Sequence, residues 1–220
     1  MREFLVAFSA KDILFLLQGA LVTVALCALA AASGLVVAVA VGLMRTARRF
    51  RFLRWPAAVY VEIFRGTPLL MQFFIAYFGL AILGLKVPAF IAVSIPLMLY
   101  TGAYMGEIVR AGVEAIPRGQ WEAGWSLGMS YRQLLRWVVA PTAVRIMLPP
   151  SVGFLVQLVK GTSLAYVVGY VELTRAGYII AQSTYATMLV FTLVGAIYFG
   201  LCYPLSLASQ RLEGRLKRHA

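Results

Sequence analysis

Few residues in this 220-residue chain are of types that do chemistry, and the tightest grouping of them is Lys160-Gly161-Thr162-Ser163. Residues three apart meet on a helix, so Ser163 with Lys160 as its base has the spacing of a nucleophile pair in an intramembrane hydrolase. No recognisable oxyanion site accompanies that pair. The same lysine has a second reading, contact with a substrate carboxylate, to which Thr162 and Ser163 would add hydroxyl hydrogen bonds. A third is a structural ion pair or a side chain snorkelling to water. The remaining chemistry-bearing types are sparse. His219 is the single histidine and lies one residue from the end, so no metal-ligating set is expected. Cys27 and Cys202 are the only cysteines, and both sit in apolar runs where packing is the expected role. A G-x-x-x-x-G-K-[ST] phosphate loop is missing; Lys160-Gly161-Thr162 has those residue types in the wrong order. Nothing in the chain can hydrolyse ATP.

Whatever positions these residues lies in a membrane. The chain is 62% apolar and 13% charged, where a soluble domain runs about 45–50% and about 25%. A span needs about 20 apolar residues. Ile13–Met44 has no charge, and neither has Gly66–Leu85 or Val87–Gly106. Ile146–Val171 has only Lys160, and the second half of the uncharged stretch Ala176–Gln210 supplies a fifth span. A lysine in mid-span costs at least about 2.5–3.5 kcal/mol, so Lys160 should face a cavity or a partner. Ala28-Leu29-Ala30 imitates a signal-peptide cleavage site, but the apolar run continues well past it, so the first segment is expected to stay.

The net charge of +12 sorts by side. Arg45, Arg48, Arg49, Arg51 and Arg54 fill the first connection. Arg110, Arg118, Arg132, Arg136 and Arg145 fill the third, and Arg211, Arg215, Lys217 and Arg218 fill the tail. The other side has only Arg2, Lys11, Lys86 and Arg175. This asymmetry predicts an external N-terminus and a cytoplasmic C-terminus, and it excludes a nucleic-acid surface as the reason for the charge. The expected fold is all-α, with about five transmembrane helices forming one domain over residues 1–220. No internal repeat is visible, so a second copy or a relative would have to supply the other half of a pathway.

The cytoplasmic stretch from about 110 to 148 is patterned. Pro117 can open a helix that runs from Gln120 to Leu127 and stops at Gly128. Ser130 with Gln133 fits a capping box for a second helix, with Tyr131, Leu134, Leu135, Val138 and Val139 on one face. Pro141 is expected to end it, leaving a two-helix elbow at the membrane surface. Glu62 and Arg65 lie one turn apart at the inner edge, as an ion pair or a gate. Glu107 and Glu172 are expected near the inner and outer edges, where hydration makes a charge cheap.

Glu122-Ala123-Gly124, three residues and Gly128 resemble the E-A-A-x-x-x-G signature of ABC importer permeases, with Pro141 where that signature ends. Gly124 replaces the third small residue, and Val138 and Ala140 replace the usual Ile and Leu. Glu62-Ile-Phe-Arg65-Gly66-Thr67-Pro68, Glu107-Ile-Val-Arg110, Lys160-Gly161-Thr162-Ser163-Leu164 and Glu172-Leu173-Thr174-Arg175 resemble segments of the polar amino acid permeases in that family. The resemblance implies a type I ABC importer transmembrane fold in a bacterial inner membrane. It implies coupling to an ATPase through Glu122, Ala123, Gly124, Gly128 and Pro141, and a substrate pathway near Lys160, Thr162, Ser163 and Glu172. It also implies a partner ATPase pair carrying ATP and Mg, a second permease subunit, an external solute-binding protein and no cofactor in this chain. A stand-alone secondary transporter is the alternative.

Overall fold

A computed structural model describes residues 9–47 and 51–217; Arg2, Arg48, Arg49, Arg218 and His219 lie outside them. The first helix, α1 (Ala10–Thr46), is uninterrupted for 37 residues. Its run contains no proline, and Ser9 and Asp12 form a capping box at its start. At about 1.5 Å per residue it measures about 55 Å, well beyond the roughly 30 Å of a bilayer core.

The charge-free stretch Gly66–Leu85 holds only the second limb of a bent pair. Helix α2 (Arg51–Gly66) stops at Thr67-Pro68, and α3 (Leu69–Ile82) restarts at an angle of 101° to it. A proline disfavours helical backbone in the residue before it, and Pro68 itself is extended (φ −60°, ψ 136°). Among the described residues four single helices are long and apolar enough to cross a membrane, and the bent pair, taken as one span, brings the number to five.

The next span, α4 (Ala89–Glu114), runs two turns past the expected end at Gly106 and so carries Glu107, Arg110 and Glu114 on helix. It packs on α1 through small residues. A Cβ added at Gly34 would lie 2.5 Å from Thr101 Cβ, one at Gly42 2.6 Å from Val109 Cβ, and one at Gly102 2.7 Å from Val37 Cγ1. Gly34, Ala38 and Gly42 recur every four residues, and this stripe lets the two backbones approach closely, which is how helices associate in lipid.

Helix α5 (Arg118–Ser126) follows with Pro117 as its cap, and Gly128 (φ +72°) closes it as expected. Both halves of the Ser130–Gln133 capping box are present. Pro141, however, ends nothing. Helix α6 (Tyr131–Val168) passes through it as the fourth span. An i→i+5 turn at Leu135–Val139 opens the hydrogen-bond ladder where the proline ring would otherwise strike the carbonyl four residues back. The connection off the spans therefore covers 115–130, and the elbow has one surface helix rather than two.

The last six residues of α6, Ser163–Val168, tighten to a 3₁₀ turn that ends at Gly169 (φ +81°). A short helix, α7 (Leu173–Thr184), precedes the final span, α8 (Thr187–Lys217). Cys27 and Cys202 are free and buried in the main core beside Leu26, Phe154 and Leu158, as their apolar settings predicted.

Candidate functional site

Glu122 and Ala123 are exposed on α5, and Arg118 makes no ion pair with Glu122 among the described residues. Gly124 is turned the other way. It is buried, and a Cβ there would overlap Leu134 Cδ1 near the start of α6. Of the residues expected to couple to an ATPase, Gly124 faces inward, and its missing side chain makes room inside this chain. Met129 N–H donates to the Gly124 carbonyl (3.1 Å) and Gly128 N–H to that of Trp125 (2.9 Å), closing the turn. Val113, Ile116, Leu134, Val139 and Ala143 form a small core beneath it. The surface helix and the fourth span are therefore one rigid corner. Pro141 lies within α6, beyond that corner.

A cavity of about 760 Å³ opens between this corner and the end of α1, lined by Thr46, Glu114, Trp121, Glu122, Trp125 and Tyr131. Trp121 stacks on Tyr131 with centroids 6.3 Å apart and meets Trp125 at 6.1 Å.

Glu107, expected as a hydrated edge charge, is the centre of an ion cluster. It accepts from Arg45 at the end of α1 and from Arg110 Nε at 3.1 Å to each oxygen, and lies 3.9 Å from Arg65 at the end of α2. Arg110 also reaches Glu114. Arg65 lies 5.2 Å from the Tyr104 ring centroid. The expected Glu62–Arg65 pair is corrected accordingly: the break at Gly66 brings the end of α2 onto α4, and Arg65 turns to Glu107 while Glu62 stays exposed. One carboxylate thus ties three helices.

Glu172 also differs from expectation. It is fully buried rather than hydrated. Its carboxylate caps α7, accepting from Thr174 N–H (2.9 Å) and Arg175 N–H (2.8 Å), and from the Tyr198 hydroxyl of α8 (2.8 Å). The neighbouring Leu173 N–H donates to Thr23 Oγ1 of α1 (3.2 Å). This polar knot joins three helices, and sequence spacing could not reveal partners 26 or 150 residues apart.

Lys160 is exposed in the last turn of the α-helical part of α6, with no ion pair to a described acid. Thr162 donates to the Val159 carbonyl (2.7 Å) and Ser163 to that of Lys160 (2.6 Å), so both hydroxyl protons are committed to their own helix. One turn away Gln157 Nε2 donates to the Tyr100 hydroxyl (2.7 Å), and Tyr100, Tyr104 and Phe154 form an aromatic cluster. Gln157 was visible in the sequence as a polar residue in an apolar span.

Several apolar helices long enough to cross a bilayer, with a packed helical corner between two of them, define a multi-pass membrane protein. Residues 33–218 match the family described as binding-protein-dependent transport system inner membrane component. The chain is 36% identical over 208 residues to the glutamine transport system permease protein GlnP of Escherichia coli, covering 92% of this chain and 93% of that protein. It is 37% identical over 187 residues to the L-cystine transport system permease protein TcyB of Bacillus subtilis, covering 84% and 80%. The crystal structure of an amino acid ABC transporter with histidines superposes with a TM-score of 0.87 at 33% identity, over 93% of this chain and 95% of that one. An inward-facing MetNI methionine ABC transporter shares the fold, with a TM-score of 0.77 at 23% identity over 93% and 97%. The chain belongs to the family of binding-protein-dependent transport system inner membrane components. It is a multi-pass inner-membrane permease subunit of an ABC importer.

Proposed function

We propose that this subunit translocates a polar amino acid, with its N-terminus outside and its C-terminus in the cytoplasm. The exposed Glu122–Ala123 surface carries the reading, because Gly124 joins it rigidly to the fourth span. An ATPase subunit docks on that surface, supported by Gly128, and a pair of such subunits holds ATP and Mg. Movement of the docked helix rotates the fourth span and alternates access to the pathway. A second permease subunit faces this one, and an external solute-binding protein delivers the substrate. The amino acid class follows from relatives named for glutamine and cystine transport. The basic residues of the first and third connections and the tail support the orientation. Lys160 meets a substrate carboxylate between the two permease subunits, a role supported by its exposure on the protomer one turn from Gln157.

Reconstituted vesicles test this reading. Uptake of a polar amino acid should require ATP on the side of the C-terminus and the loaded binding protein on the other, and should persist when ion gradients are collapsed. Uptake driven by an ion gradient without ATP would overturn it.

A further inference from the structure

The face of α2 that points away from the core explains nothing in the transport cycle. Helix α2 packs through Ala57 and Val61 against Val41 of α1 and Ala103 of α4. Trp55 (72% exposed), Val59 (37%) and Ile63 (53%) form a second, uncovered apolar stripe at helical spacing. Between the two stripes lies a basic strip of Arg51 and Arg54, both exposed. Neither arginine forms an ion pair with a described acid.

The angle of the helix decides what covers this face. Leu69 and Phe73, one turn apart on α3, are buried in one cluster with Val93, Leu97 and Tyr100 of the span α4, and Tyr77 packs beside them, so α3 runs along that span. A turn of 101° from α3 then lays α2 across that direction. Its buried face meets α1 at Val37, Val41 and Met44, within the last three turns of that helix. That end of α1 also borders the cavity beside α5. A helix lying flat at this level, apolar on its outer side and basic beside that, has the anatomy of an interfacial helix.

We infer that α2 is an in-plane helix of the leaflet facing the coupling corner. Trp55, Val59 and Ile63 seat in the acyl boundary, and Arg51 and Arg54 bind the phosphates of anionic lipid headgroups. Arg65 at the other end of the same helix joins the Glu107 cluster, so the lipid seat and the ion cluster share one rigid element. The assignment rests on the membrane placement of the chain and on the proposed orientation for the identity of the leaflet.

Two measurements on the purified permease complex in bilayer nanodiscs test it. Nitroxide labels at Trp55→Cys, Val59→Cys and Ile63→Cys, in a background with Cys27→Ala and Cys202→Ala, report depth. An in-plane helix gives equal depths near the headgroup–acyl boundary, whereas a spanning limb gives depths that differ by about 12 Å between positions 55 and 63. Unequal depths of that size overturn the inference whatever the substrate proves to be. The second measurement is retention of phosphatidylglycerol from mixtures with phosphatidylethanolamine, counted by native mass spectrometry. The pair Arg51→Gln and Arg54→Gln should weaken retention roughly thirtyfold, as two cation–headgroup contacts of about 1 kcal/mol each require. Arg51→Lys with Arg54→Lys should keep it, which separates headgroup binding from misfolding. Unchanged retention in the Gln pair, or loss of a partner protein with retention intact, would show that the strip serves something other than lipid.

Discussion

Gly124 lies directly against Leu134, so closely that a single added methyl at 124 would overlap the leucine's Cδ1. Leu134 is fully buried and cannot swing aside freely. Gly124→Ala should therefore destabilise the corner by about 1–3 kcal/mol, the usual range for overpacking. Leu134→Ala alone leaves a cavity and also destabilises. The double variant should be better than the sum of the two, because each change relieves the other. Thermal unfolding of the four proteins in detergent checks this; strict additivity would mean that the two residues do not meet.

Gly128 presents a different constraint. Nothing lies within 4 Å of a Cβ built there, and only its left-handed backbone (φ +72°) requires glycine. Gly128→Asn should be nearly neutral, since asparagine tolerates that conformation, whereas Gly128→Val should lower uptake with assembly largely kept. Comparing uptake per assembled complex for the two variants decides the matter. Equal uptake would show that the turn can be made in another way.

The ion cluster gives an ordering. Glu107→Gln leaves Arg45, Arg65 and Arg110 facing one another without their shared carboxylate, and should cost roughly 1–3 kcal/mol, between exposed and buried pairs. Arg65→Gln should cost under about 1 kcal/mol, because that pair is long and its arginine is 40% exposed. Melting temperatures in detergent should fall in that order, and the difference should narrow as salt is raised.

Much of this fold was legible from simple signals, and the failures have physical causes. The spans α1, α4 and α8 follow from long uncharged runs, and the Ser130 capping box and Gly128 stop follow from local chemistry that needs no tertiary partner. Pro141 misled because a π turn can absorb a proline that a plain α-helix would not. The Thr67-Pro68 bend falls where the charged residues of α2 give way to the uncharged run, and the angle between the two helices is set by tertiary packing that this boundary does not encode. Among the candidate site residues, Glu122 and Ala123 emerged exposed, while Gly124 and Glu172 proved internal. Glu107 and Glu172 take partners from distant helices, and no periodicity encodes those.

Lys160 separates two roles. If it meets a substrate carboxylate, Lys160→Met should assemble normally and lose uptake, and Lys160→Arg should rescue poorly because a planar fork does not replace a compact ammonium. If it pairs with an acid of the second permease subunit, Lys160→Met should destabilise the complex and arginine should largely restore it. Native electrophoresis together with uptake distinguishes the outcomes, and the account predicts the first.

The most direct test of the account is crosslinking at Ala123→Cys. In the assembled transporter it should crosslink with a maleimide reagent to a cysteine placed in the ATPase subunit's docking groove, and the crosslinked complex should stop transporting. Lys86→Cys, beyond the other end of the spans, should not react with that partner. A complex that hydrolyses ATP and imports substrate with no crosslink from position 123 would contradict the coupling role of α5.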